Sequence, residues 1–295
     1  MEEFIEDLGG HIIQKQTIAG DVIIQAIVPK EDIEFLQSVA KPILGKIVIS
    51  PLVGTEIAIV SPSLEIHHLP HASCDVAEYL RRYGAKTNVI GLARGFGKRI
   101  ANLNVEERDI INEHDLVIYL LGNFEECIRY KFPTLRRGIQ VPIILTGGPS
   151  KETLIKIIDP PVEGYVGSIG RLMHRYRKPE ELEKLEELVT EVSQALDRKR
   201  VEIAKDPLST IPPRLMDLIN EKIDAIHAVT SPTPITVQMT GLRVKLPYES
   251  YANAIKDCEV EDGIRIGDIA EVLPSRMRNY IIVRIKPYSE TNIVV

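Results

Sequence analysis

Two stretches, DLVIYLLG at 115–122 and VPIILTGG at 141–148, decide the fold. The first is a continuous apolar run bounded by glycine, the pattern of a strand buried on both faces of a parallel sheet, and the second reads as another buried strand. Between them NFEECIRYKFPTLRRG (123–138) reads as a helix, kinked or interrupted at Pro133. Upstream, the rhythm repeats. KIVIS (46–50) and EIAIV (56–60) read as strands around the turn PLVGT, and CDVAEYLRRYG (74–84) as a helix with a glycine C-cap. KTNVIGLA (86–93) is a further strand, and NVEERDIINEH (104–114) a helix with Asn104 as N-cap. Downstream come a helix at KETLIKII, a short edge strand at EGYVGS, and a long amphipathic helix over 178–200. Leu182, Leu185, Leu188, Val189, Val192 and Leu196 form the stripe of that helix. Such alternation predicts an α/β fold with a doubly wound, mostly parallel sheet.

This core spans 46–203. Residues 1–45 read as a small N-terminal α+β unit, with a strand at DVIIQAIV (21–28) and a helix opened by Pro29. DPLSTIPPR (206–214) is a Pro-rich linker within 204–295, a C-terminal α+β unit with a helix at LMDLINEKIDAIHAV and strands in ITVQMTGLRVKLP and YIIVRIKP.

Composition narrows the function. The chain has 295 residues, 44% apolar and 26% charged, ordinary globular values. No stretch approaches the roughly 20 apolar residues of a membrane helix. The acidic start MEEFIEDLGG is not a secretory signal, so a cytoplasmic protein is expected. The net charge of −6 argues against coating nucleic acid, although Arg94, Lys98 and Arg99, and Arg171, Arg175, Arg177 and Lys178, form local basic groups. Three scattered cysteines, 74, 127 and 258, without a CxxC, exclude a disulfide scaffold and suit a reducing compartment. They also cannot hold a four-cysteine iron–sulfur cluster alone.

In doubly wound sheets ligands sit beyond the carboxyl ends of the strands. Those ends are GLARGFGKR (91–99), LGNFEEC (121–127) and TGGPS (146–150). Gly91, Arg94, Gly95, Gly97 and Gly122 are therefore candidate cofactor-binding positions: glycines admit close approach of an anion to backbone N–H groups, and Arg94 adds charge. The loop fits neither GxGxxG nor GxxxxGK[ST], and a plain connecting loop is the competing reading. TGGPS reads as a strand-to-helix corner with Ser150 as cap. HHLPHASCD (67–75) places three histidines before Cys74. His71 and Cys74, three apart across a helix start, are candidate metal ligands, and a helix N-terminus favours the thiolate of Cys74. A histidine-rich surface loop beside a small buried cysteine is the alternative. Cys127, near the start of the next core helix, is a further candidate ligand or a packed core residue. His114 reads as a helix cap, and Cys258 as structural. There is no Ser–His–Asp pattern, HExxH or EF-hand loop, so no catalytic set is assigned.

The run HDLVIYLLGNFEECIRYKFPTLRRGIQVPIILTGG resembles the core of methyl-coenzyme M reductase operon protein C: an apolar strand, the break at Gly122, a helix with Tyr130, Lys131 and Arg136, then a second apolar strand. Cys74 and the GLARGFG loop resemble that family's cysteine and glycine-rich loop. This core likeness covers about half of the chain. Over nearly its full length the chain resembles methanogenesis marker protein 7. The resemblance implies a non-enzymatic subunit in the ATP-dependent activation of methyl-coenzyme M reductase, whose F430 nickel must be reduced. It further implies a complex iron–sulfur cluster and electron transfer. The implied partners are methyl-coenzyme M reductase, its operon protein C, other methanogenesis marker proteins and an ATP-binding activation component, with no nucleic acid or membrane. Operon protein C carries further cysteines ahead of this position and the chain has none before Cys74, so the implied cluster is shared with a partner subunit. The competing reading is a nucleotide-binding α/β enzyme or regulator that uses the glycine-rich strand ends.

Overall fold

The apolar runs lie side by side in a computed structural model that describes residues 1–18, 21–61, 72–92, 103–121, 125–147, 149–158, 161–167, 169 and 179–295, with the backbone alone at Gln16, Ile18, Asp21 and Cys127. Contacts divide the chain into two compact units, Glu56–Glu202 and a second that joins Met1–Thr55 to Ile203–Val295. The segment Met1–Thr55 holds α1 (Glu2–Asp7), β1 (His11–Ile18), β2 (Asp21–Ile27) and α2 (Ile33–Ala40). The central unit then runs β3 (Glu56–Ser61), α3 (Ala72–Arg82), β4 (Lys86–Gly91), α4 (Val105–Asn112), β5 (Leu116–Leu120), α5 (Glu125–Arg136), β6 (Ile143–Gly147), α6 (Lys151–Ile157), β7 (Gly164–Gly167) and α7 (Pro179–Lys205).

The five strands β3 to β7 form one all-parallel sheet in the order β4-β3-β5-β6-β7. The continuous apolar runs are explained by burial from both sides. On one face Val60, Val117, Tyr119 and Leu145 pack with Ile111 of α4, Ile128 and Phe132 of α5, and Leu154 of α6. On the other, Ile57, Ile59, Ile118 and Ile144 are equally inaccessible. Right-handed crossovers assign α3 to this second face, because β3-to-β4 runs opposite to the later steps. The α7 stripe is buried from Leu185 to Leu196, and Glu191 of the same helix lies against Gly164 of β7.

Local chemistry fixes the helix ends. Asn104 accepts from the Glu107 N–H while Glu107 accepts from the Asn104 N–H, a complete capping box on α4. Asn104→Ala is expected to cost about 1 kcal/mol, read as a lowered urea midpoint with unchanged slope. Ser150 caps α6 through the Thr153 N–H. α5 continues through Pro133, so the proline does not divide the element. Its packing is reinforced from β5: the Tyr119 hydroxyl donates to the Leu135 carbonyl at 2.9 Å, and burial pushes that phenol far above its ordinary range despite the opposing charge of Arg108.

In the other unit come α8 (Pro212–Lys222), β8 (Ile235–Gln238), β9 (Gly241–Val244), α9 (Tyr248–Asp257), β10 (Glu259–Glu261), β11 (Ile264–Arg265), α10 (Ile266–Ile269), β12 (Ala270–Pro274), β13 (Ile281–Ile285) and α11 (Tyr288–Thr291). The segment expected as a linker packs into this unit instead: Ser209 and Thr210 are buried, and the Ser209 N–H donates to the Lys286 carbonyl. An antiparallel sheet of order β12-β13-β9-β8 buries Val237, Leu242, Val244 and Val283 against Leu215 and Ile219 of α8 and Ile255 of α9. The segments 1–45 and 204–295, separate in the sequence, belong to this one unit. Ile13 of β1 packs on its core, and His11 Nδ1 meets Asp217 Oδ2 at 2.5 Å. The helix expected over LMDLINEKIDAIHAV ends at Lys222 and is followed by a 3-10 turn over Asp224–Ala228. KIVIS (46–50), expected as a strand, has no secondary structure, because no strand edge is paired with it.

Candidate functional site

Strand order locates the site before any side chain does. The chain passes from β3 outward to β4, then crosses back over β3 to β5 and continues to β7. The direction reverses between β3 and β5, and the connections leaving their carboxyl ends part to opposite faces of the sheet. Ligands of such sheets occupy the crevice that this reversal opens. Ser61 and Leu121 mark its two walls. Both are buried, and Leu121 is tied to β6 by its N–H bond to the Thr146 carbonyl.

Each wall leads into a helix with a cysteine as its third residue. Cys74 lies in the first turn of α3, after β3, and its side chain is exposed and free. Cys127 has the same position in α5, after β5; its side chain lies outside the described residues. The alternative reading of a small buried cysteine at 74 is thus corrected, because the helix turns that position away from the sheet while Ala72, Ser73 and Val76 face inward. Gly91 closes β4 opposite Ser61 of β3. His71, Arg94, Gly95, Gly97 and Gly122 lie outside the described residues. Among the described residues no three His, Cys, Asp or Glu side chains gather as a metal site.

The helix ends here are already supplied with negative charge. Asp75 occupies the first turn of α3, Glu125 and Glu126 that of α5, and Glu152 that of α6. These carboxylates satisfy the positive ends of the helix dipoles and leave them less attractive to a free phosphate.

Cys258 differs in every respect. It is buried in the other unit, its Sγ donates to the Ala254 carbonyl at 3.2 Å, and burial raises its thiol pKa. Iodoacetamide is therefore expected to alkylate Cys74 in the folded protein and Cys258 only after unfolding, with peptide mass spectrometry reading the two sites.

The opposite, amino edge of the sheet carries a polar network that sequence reading missed. Asn88 Nδ2 donates to Glu56 Oε1 at 2.7 Å and meets His114 Nε2 at 2.9 Å, while His114 Nδ1 meets the Ile110 carbonyl at 2.8 Å. An amide nitrogen only donates and a carbonyl oxygen only accepts, so the His114 proton sits on Nδ1. The Glu56 N–H donates to Asp115 Oδ2, and Lys199 donates to the Asp115 carbonyl. These groups tie β3, β4, β5, α4 and α7 together at the end remote from the crevice. His114 does cap its helix, as its place in the sequence suggested.

The sequence profile of the family described as methyl-coenzyme M reductase operon protein C matches residues 1–258. That match takes in the whole Met1–Thr55 segment and reaches well beyond the core run that carried the resemblance. An uncharacterized protein of Methanocaldococcus jannaschii is 44% identical over 289 residues, covering 98% of this chain and 90% of that protein. Solved structures are far less similar. An NAD(P)H:quinone oxidoreductase from Methanothermobacter marburgensis is 13% identical, with a TM-score of 0.29 over 49% of this chain and 100% of that one. A chain with a yeast Spc42 trimeric coiled-coil fragment fused to another protein is also 13% identical, with a TM-score of 0.31 over 60% of this chain and 96% of that one. Neither likeness bears on fold or function.

Proposed function

This chain belongs to the methyl-coenzyme M reductase operon protein C family, and from that membership we propose that it is an accessory subunit in the ATP-dependent activation of methyl-coenzyme M reductase. It catalyses no reaction alone. It holds one side of a complex iron–sulfur cluster, which a partner subunit completes and which, when bound, supplies low-potential electrons for reduction of the F430 nickel. Its partners are the reductase, a paralogous operon protein C, other methanogenesis marker proteins and an ATP-binding component.

The observation that carries this reading is Cys74, an exposed thiol on the first turn of the helix that leaves the switch crevice. One accessible thiol in a chain of three cysteines suits a cluster divided between subunits better than one enclosed by a single chain. Cys127 and His71 are the other ligands this chain can offer. Burial at the subunit junction would tune the cluster potential. Anaerobic purification of the tagged chain from a methanogen tests the reading. The expected assembly contains operon protein C, the reductase and iron; an assembly lacking both operon protein C and iron overturns it.

The reversal between β3 and β5 also favours a second reading, a nucleotide bound at the crevice by an α/β regulator. ATP, NAD or a flavin would then raise the melting temperature of the isolated chain, and Gly95→Ala would abolish the rise. The carboxylates on the adjoining helix ends count against it.

A further inference from the structure

Residues 43–49 carry an apolar run that the fold leaves bare. Ile43, Leu44, Val48 and Ile49 are 64%, 95%, 67% and 75% exposed. KIVIS (46–50) has the β-branched composition of a strand, yet among the described residues Lys46 to Ile49 make no backbone hydrogen bond. Among the described residues nothing occupies their N–H and C=O groups, which a ladder would satisfy.

The ribbon of β1 and β2 is bare in the complementary way. It is a sheet of two strands only, and such ribbons are marginal in water without a third strand or a packed face. β1 is engaged by α8 through Ile13 and His11. Among the described residues no strand pairs with the outer edge of β2, and Val22 and Ile23 there are 56% and 46% exposed. The described residues thus include a strand-like run without an edge and an edge without a strand, and within one copy the two do not pair.

We infer that a second copy of this chain resolves both: residues 46–50 of each copy add as a third strand to the β2 edge of the other. The exchange is reciprocal, so a two-fold axis closes it at a dimer and covers the β2 edge of both copies. A foreign partner would satisfy one feature and leave the other bare. Together with Ile47, the apolar residues named here expose on the order of 800 Å2 on each copy, comparable to one partner's share of a standard interface, about 800 Å2.

Sedimentation equilibrium of the full chain tests this. The expected result is a dimer at micromolar concentration. The double variant Val48→Asp, Ile49→Asp and the single variant Ile23→Lys are each expected to weaken dimerisation at least a hundredfold. Their melting temperatures should stay at that of the parent chain measured as a monomer, since all three side chains face water. Mixing the two variants supplies the decisive arm. Each alone has lost both exchanges, whereas a mixed pair retains one, from the intact run of the edge variant onto the intact edge of the run variant. Mixed dimers are expected where neither variant dimerises alone. A chain that stays monomeric across the concentration range, a dimer indifferent to both variants, or a mixture that stays monomeric overturns the inference.

Discussion

Replacing Cys74 by serine is expected to strip iron from the anaerobically purified assembly by at least tenfold and to remove its paramagnetic signal. The folded chain and its companions should remain. The two effects separate because the Cys74 side chain is exposed. An exposed substitution of this kind changes stability by no more than about 0.5 kcal/mol. A cluster that loses one thiolate loses the ligand outright. Cys258→Ala is the matched control. It removes a buried thiol that donates to the Ala254 carbonyl, so it should lower stability by about 1–2 kcal/mol while leaving iron in place. Iron and signal that persist in Cys74→Ser, with the assembly intact, would sink the shared-cluster reading and favour a purely structural adaptor.

Gly241→Ala is expected to have the largest effect on stability. Gly241 opens β9 and pairs with Arg284 of β13. A methyl group there would lie 1.9 Å from the Val283 carbonyl oxygen and 3.0 Å from its carbon. Both obstacles are backbone, fixed by the β9–β13 ladder, so no rotamer change relieves the clash. The strands must part, and Leu242, Val244, Ile281 and Val283 lose their packing together. The loss should exceed about 3 kcal/mol, beyond ordinary overpacking. Chemical denaturation should show an early transition in the Met1–Thr55 and Ile203–Val295 unit. A midpoint within error of the parent chain would show that the strands tolerate the wider spacing.

The central unit was legible wherever one segment carried its own instruction. The runs at 116–120 and 143–147 are buried at every position because both faces are covered, and the α7 stripe is buried as its spacing demanded. Asn104 and Ser150 cap the helices they precede. What stayed hidden depends on residues distant in sequence. Strand order is one example: no local pattern says that β3, rather than β4, lies beside β5. KIVIS is another, since its composition states a preference that only a neighbouring edge can fulfil. His11 and Asp217 show the same limit, joining segments at opposite ends of the chain. At the site, the helix start before Cys74 was readable, but the exposure of its thiol was not. The Glu56, Asn88, His114 and Asp115 network was invisible because its members come from three neighbouring strands or their approaches.

The two-part unit also sets a timetable. Its Met1–Thr55 segment leaves the ribosome long before Ile203–Val295, on which Ile13 and His11 must dock. The intervening Glu56–Glu202 unit has its whole sequence available first. At about 5–20 residues per second, synthesis of Glu56–Glu202 alone makes the early segment wait roughly 7–30 seconds for its complement. During that interval the inserted sheet can fold and hold Glu56 and Glu202 at fixed positions. It thereby replaces a long flexible loop with a closed one, and lowers the entropic cost of uniting the two halves. Translation pauses placed after Glu202 should therefore be tolerated, whereas cutting the nascent chain inside Glu56–Glu202 should strand the first segment as a protease-sensitive tail.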